Sequence, residues 1–484
     1  MRRSAPSTRG TLAAGRRWLH LHGRWLLGLL VLLVGCQCGA RAQAPEDSTP
    51  PGPPPGQEAE PESYWPALLA AQYTYVLQHQ TALDSPYAGR LSLLASGDTE
   101  ATHTIGFYGG WGVARWMQLY LDTEKFMGAG VSGATGLGGL TNGDVVREGV
   151  AGLKKTFYIA RAFVRFTYPL GTSVTHVERA QDQIAGYEAS TRLEFKAGRM
   201  AVNDDFDHNR YAGATRTQFM NWSLWDNTAW DYAANTRGYT DGFVLGYVSP
   251  AWMLKYGLYR MPLYANGQTL ETLNRAQGQN LELTLSPFVN GAVLRLLTFR
   301  NTARMGDYRE ALSLAAATDA VPNVAADGRD GRHKYGFGVN GELPLADAGE
   351  TGLFMRLGWN DGATESFVFT EVDRLASTGA QLSGIHWARP NDRLGVGLVL
   401  EGLSAAHHDY LAAGGYGFLL GDGRLNYGHE QILEAYYRLQ LFDGIGKLPL
   451  RLQLSPDFQF IRNPGFNQDR GPVRFYAMRL HLEY

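Results

Sequence analysis

The chain has 484 residues, 44% hydrophobic and 12% aromatic, with 59 glycines and two cysteines, which rules out a disordered chain and a disulfide scaffold. Its formal charge is −2, but the first 42 residues carry seven arginines and no acid, so the remainder stands near −9, which argues against a nucleic-acid binder or a polybasic membrane-surface protein. A mean hydropathy of −0.24 and the lack of an uncharged apolar run of about 18 residues argue against membrane-spanning helices, but not against a membrane β-barrel.

At the N-terminus, Arg2, Arg3, Arg9, Arg16, Arg17 and Arg24 accompany an apolar stretch over residues 25–34 that is too short to span a bilayer. Ala40-Arg41-Ala42 fits a small-x-small cleavage pattern, which predicts a signal peptide over residues 1–42 and a mature, cysteine-free chain starting at Gln43. A competing reading takes Leu33-Val34-Gly35-Cys36 as a lipobox with a lipid on Cys36. Residues 43–65 contain Pro50, Pro51, Pro53, Pro54, Pro55 and Pro61 and predict a flexible linker without a core. The texture then changes to short alternating segments and stays uniform to Tyr484, so residues 66–484 read as one domain.

Alternating segments lie near residues 70, 102, 114, 157, 190, 239, 252, 279, 291, 333, 351, 381, 392, 431, 448 and 474. About sixteen strands is an even number within the range of single-chain bacterial barrels. The last segment is the clearest: Tyr476, Met478, Leu480, Leu482 and Tyr484 share one face, and Arg479, His481 and Glu483 the other. A soluble sandwich would turn the apolar face inward, whereas a membrane barrel would turn it to lipid and the charges to a wet lumen. In the other segments Arg161, Arg165, Arg192, Glu194, Lys196 and Arg438 stand on polar faces carrying both signs of charge, which predicts a lumen close to neutral. Connections alternate between short ones, such as Ser249-Pro250 and Pro390-Asn391-Asp392, and long ones over residues 128–149, 204–237 and 306–332. Two long connections predict short helices, over residues 308–317 and around 222–234. Loops of this length in a barrel fold inward to narrow the pore.

Enzyme signatures are poor. Gly336-Phe337-Gly338-Val339-Asn340-Gly341 matches G-x-G-x-x-G literally, but it sits in an alternating strand without the strand-to-helix turn that a phosphate site needs. His407-His408-Asp409 lacks a further ligand at metal-site spacing, and Arg329 stands in the middle of Asp327-Gly328-Arg329-Asp330-Gly331, so neither predicts a metal. The adjacent acids Asp204 and Asp205 point to opposite faces if they lie on a strand. No catalysis, cofactor or metal is expected.

Several stretches are similar to the carbohydrate-selective porins of the OprB type: Asp204-Asp205-Phe206-Asp207-His208-Asn209-Arg210-Tyr211, Thr215-Arg216-Thr217-Gln218-Phe219-Met220-Asn221-Trp222, and Trp230-Asp231-Tyr232-Ala233-Ala234-Asn235-Thr236-Arg237-Gly238-Tyr239. So are Met261-Pro262-Leu263-Tyr264-Ala265-Asn266-Gly267, Asn463-Pro464-Gly465-Phe466-Asn467-Gln468-Asp469-Arg470-Gly471-Pro472-Val473, Gly139-Leu140-Thr141-Asn142-Gly143-Asp144 and Gln431-Ile432-Leu433-Glu434-Ala435-Tyr436-Tyr437. These pieces extend from about residue 100 to the C-terminus; the chain departs from the family in ending on Tyr484 rather than Phe. The resemblance implies an all-β fold, a sixteen-stranded antiparallel outer-membrane barrel that passes mono- and oligosaccharides to the periplasm through a pore constricted by loops. Its implied partners are small neutral sugars, outer-membrane lipid and the barrel assembly machinery; analogy with porins adds a homotrimer. The alternatives are a general or differently selective porin and an outer-membrane enzyme or adhesin on a barrel.

Within that frame Trp222, Trp225 and Trp230, together with Arg161, Arg165, Arg192, Glu194, Lys196, Arg356 and Arg438, are the candidate pore-lining residues. Flat aromatics complement the C–H faces of sugars, and polar groups complement their hydroxyls. Tyr476, Met478, Leu480, Leu482 and Tyr484 are expected to face lipid.

Overall fold

A computed structural model describes residues 67–145, 153–288, 290–445 and 448–484. The expected signal peptide (1–42) and linker (43–65) lie outside the described residues. The first half of the sheet comprises β1 (Leu68–Gln80), β2 (Asp98–Ala114), β3 (Met117–Gly128), β4 (Tyr158–Pro169), β7 (Arg192–Met200), β8 (Thr240–Val248), β9 (Trp252–Arg260) and β10 (Gln277–Leu285). Between β4 and β7 lies a small separate hairpin, β5 (Val174–Val177) and β6 (Gly186–Ala189). The second half comprises β11 (Val293–Met305), β12 (Arg329–Ala346), β13 (Thr351–Asn360), β14 (Arg374–Ser383), β15 (Arg393–Gly402), β16 (Glu430–Ile445), β17 (Leu448–Arg462) and β18 (Val473–Glu483).

Sixteen of these strands close into an antiparallel barrel in which each pairs with its neighbours in sequence, β4 pairs with β7, and β1 closes the ring against β18. Closure satisfies the backbone donors and acceptors that an open edge would leave bare in a bilayer. No helix among the described residues is long and apolar enough to cross a membrane.

Period-two alternation sets the two faces of the wall. On β15 Val396, Leu398 and Leu400 are exposed on the outside while Val399 and Glu401 are buried on the inside. On β18 Tyr476 and Met478 are 49% and 40% exposed, whereas Arg479 and His481 are 1% and 5% exposed. Aromatic pairs stand near both rims of the outer wall: Trp116 stacks on Phe166 and Tyr247 on Trp252 at one, and Phe337 on Trp359 toward the other. Such belts match the two interfaces of a membrane.

The rim where β1 begins and β18 ends, here called the terminal rim, carries short connections over residues 115–116, 249–251, 286–292, 347–350 and 384–392. The opposite rim carries the long ones. These contain α1 (Trp222–Trp225), α2 (Tyr308–Thr318) and α3 (Ala405–Ala412). α2 lies where the sequence predicts it, while the helix expected around 222–234 is reduced to four residues, and beyond it the carbonyls of Ala229 and Asp231 accept from Asn360 and Asn301 of the wall. The hydrophobic core is therefore inside the barrel, where Phe219, Trp222, Leu224, Tyr308, Tyr410 and Phe466 from the loops pack with Phe354, Tyr436 and Phe475 from the strands.

Candidate functional site

The inner wall of β10 to β18 is a row of anchors for the loop over residues 201–239. Glu282 accepts the backbone N–H of Asp207 at 2.7 Å, Glu342 that of Arg210 at 3.0 Å, and Glu434 those of Met220 and Asn221 at 2.6 and 3.0 Å. Glu401 accepts the hydroxyls of Ser223 and, at 2.7 Å, Thr228. The cations bind the loop's acceptors: Arg356 donates to Asp207 at 2.6 Å and to the Leu224 carbonyl at 2.5 Å, and Arg479 to the carbonyls of Thr215 and Gln218 at 2.6 and 2.7 Å. The bonds that Arg356 and Arg479 donate are charge-assisted. Glycines on the inner face give the loop room. A Cβ on Gly358 would fall 2.2 Å from the Asn227 Oδ1, and one on Gly397 would fall 2.6 Å from Leu224. Gly338, in the stretch that matches G-x-G-x-x-G, is another such socket for Asn227, and Asn340 donates to Asp207.

Bound to one side, the loop leaves a cavity of about 630 Å³ against β1 to β4, running from the long-loop rim, at Asn266 and Phe418, to Arg451, Glu483 and Tyr484 at the terminal rim. On the loop side Trp222 stacks on Phe369 (centroids 4.0 Å apart, planes 12° apart), Tyr232 packs on the same ring at 4.5 Å, and Trp225 meets it edge-on. Across the cavity the loop also reaches the wall: its Arg216 joins Glu124 of β3 and Asp144 at 3.2 and 3.1 Å, and its Asp204 is held by Arg161 of β4 at 2.6 Å. Arg237 lies 4.1 Å from the centre of the Tyr158 ring. Five acids (Glu124, Asp144, Glu178, Asp204 and Glu483) and five arginines (161, 179, 216, 237 and 451) line the cavity, so its walls balance in charge.

Electrostatics reinforces this arrangement. Burial works to raise the Asp204 carboxyl, but Arg161 holds it down to about 2. Burial, together with Asp207, pushes the Asp226 carboxyl up to about 7 against the pull of Arg356.

Of the ten residues expected to line a pore, Arg161, Trp222 and Trp225 border the cavity. Trp230 is fully buried, its indole N–H donating to Asn280 at 2.9 Å, and Arg356 is fully buried under the loop. Both lie in the seam between the loop and the strands, Trp230 bonding from the loop to β10 and Arg356 from β13 to the loop. Arg165, Arg192 and Glu194 form a ladder with Glu188, and Lys196 pairs with Asp205 at 2.9 Å beneath the loop's start. Arg438 stands opposite Arg393 on the inner wall, away from the cavity. Leu480 and Leu482 share the outer face with Tyr476 and Met478, while Tyr484, at the end of the strand, borders the cavity mouth. Sequence reasoning missed Phe369, from the connection between β13 and β14, and Arg216, Glu124 and Asp144. The apolar run Phe367-Val368-Phe369 between two strands was the available signal for the first.

A family model described as carbohydrate-selective porin, OprB family, matches residues 121–484. Among solved structures, the high-pH structure of OprB from Pseudomonas putida aligns with a TM-score of 0.61 at 14% identity, covering 86% of this chain and 94% of that one. The outer-membrane channel DcaP of Acinetobacter baumannii aligns at 0.45 and 10% identity, covering 86% and 96%. The first of these shares the fold. No curated protein matches the chain.

Proposed function

The chain belongs to the OprB family of carbohydrate-selective porins, outer-membrane channels for sugars, and from that premise we propose that the cavity beside the 201–239 loop is the sugar path. Short connections mark the periplasmic rim of such a barrel, so sugars enter at the long-loop rim and leave past Glu483. The observation that carries the reading is the pairing of an aromatic patch, Trp222 with Phe369 and Tyr232, with a wall whose charges cancel. A neutral solute gains stacking on one side and hydrogen bonds on the other, and an ion gains no net field. Several modest contacts suit conduction, which requires that the ligand leave as readily as it enters. In this setting the apolar outer wall meets outer-membrane lipid, and the assembly machinery receives a chain cleaved after Ala42.

Liposome swelling with sugars, amino acids and small anions of matched size tests the proposal. The protein should admit sugars fastest, and Trp222→Ala with Phe369→Ala should reduce that preference several-fold with the barrel still assembled. Uniform swelling by all solutes would instead make the protein a general porin.

A further inference from the structure

Among the terminal-rim connections, residues 170–191 stand apart. The other described ones span nine residues or fewer, whereas this one carries the β5–β6 hairpin, and its tip turns back onto the inner wall. The Ile184 N–H donates to the Tyr120 hydroxyl at 3.3 Å, and Asp182 lies 3.3 Å from Arg161; Tyr120 and Arg161 are on the inner faces of β3 and β4. Arg179 donates to the Leu69 carbonyl of β1 at 2.5 Å. Since the wall runs β1, β2, β3, β4, the tip crosses the lumen in front of three strand junctions. Its base is fixed by Arg165 and Arg192, both bonded to Glu188. The tip is a tight turn in which Ala180 and Gln183 exchange backbone bonds, with Asp182 at φ 55°. Glu178, Arg179, Ala180 and Gln181 border the cavity.

We propose that the tip, residues 178–184, is a second constriction of the channel on the periplasmic side, where a polyhydroxylated neutral solute meets the carboxylate of Glu178, the guanidinium of Arg179 and the amide of Gln181. The proposal rests on the cavity being the solute path. Arg161 joins the two constrictions: the same guanidinium that holds Asp182 of the hairpin holds Asp204 at the start of the 201–239 loop, and Asp122 of the wall at 3.3 Å. The inner filter is thereby positioned against the outer one.

Two variants read this by ion current, which does not depend on sugar preference, so a channel without that preference still reports on the tip. In the first, residues 171–190 are replaced by Asn-Gly; Leu170 and Thr191 already share a backbone bond at 2.9 Å, so the strands are placed to join directly. Single-channel conductance in KCl should rise at least about twofold. In the second, Gln181→Cys in a background with Cys36 and Cys38 replaced by Ser keeps the hairpin whole. A bulky thiol reagent added from the periplasmic side should cut the current by about half or more. Unchanged conductance in the shortened protein, or a labelled Gln181→Cys that conducts as before, overturns the proposal; should the shortened chain fail to assemble, the labelling result decides.

Discussion

Arg356 illustrates what an inward-facing charge does in this barrel. It is fully buried, and it satisfies both a carboxylate and a carbonyl of the loop at once. Arg356→Met leaves the Asp207 carboxylate buried without its cation, a loss of about 3–5 kcal/mol. Thermal unfolding in detergent should show it, and sugar preference in any folded fraction should drop because the loop is no longer held to the wall. Asp226 gives a pH dependence of known sign. Its carboxyl sits at about 7 in the folded protein, above an ordinary aspartate at about 3.9. Between those values the folded state holds more protons than the unfolded state, so the contribution of Asp226 to stability declines as pH rises from about 4 to 7. Asp204, at about 2, acts oppositely, and its stabilisation is lost only as pH falls from about 4 through 2. The melting temperature at pH 8 should therefore lie below that at pH 5, and Asp226→Asn should narrow the gap; an equal gap in the variant would remove Asp226 as its source.

At the scale of elements, the strands were legible and their loop partners were not. The sixteen expected segments coincide with the sixteen barrel strands, the one near 114 falling at the turn between β2 and β3. Alternation reports that one face is apolar and the other polar, and a lipid-facing wall enforces it over every strand. It does not report what the polar face touches. Arg161 and Arg356 have the same pattern around them in sequence, yet one borders the cavity and the other is covered by a loop whose contacting residue, Asp207, is 149 positions away. The β5–β6 hairpin escaped notice for a related reason, since four-residue strands carry too few alternations to stand out. The β18 register carries its own prediction. Single cysteines labelled from water should react at 481 and not at 480 or 482, with 479 slow because the loop covers it. Labelling at 480 and 482 would invert the wall.

At the scale of the whole molecule, the barrel is a frame and the 201–239 loop is hung inside it. The loop between β7 and β8 is anchored to β10, β12, β13, β15, β16 and β18, all of which follow it in the chain. The ring itself closes only when β18 pairs with β1. The order of events in assembly follows from this. When the loop has been made, Glu124, Arg161 and Lys196 that pair with Arg216, Asp204 and Asp205 are already in the chain, but the carboxylates and guanidiniums of β10 to β18 that hold its far side are still missing until the last eleven-residue strand is seated. The far side of the loop is the last part to be held, and a barrel arrested one strand short would lack the Arg479 bonds that pin the carbonyls of Thr215 and Gln218.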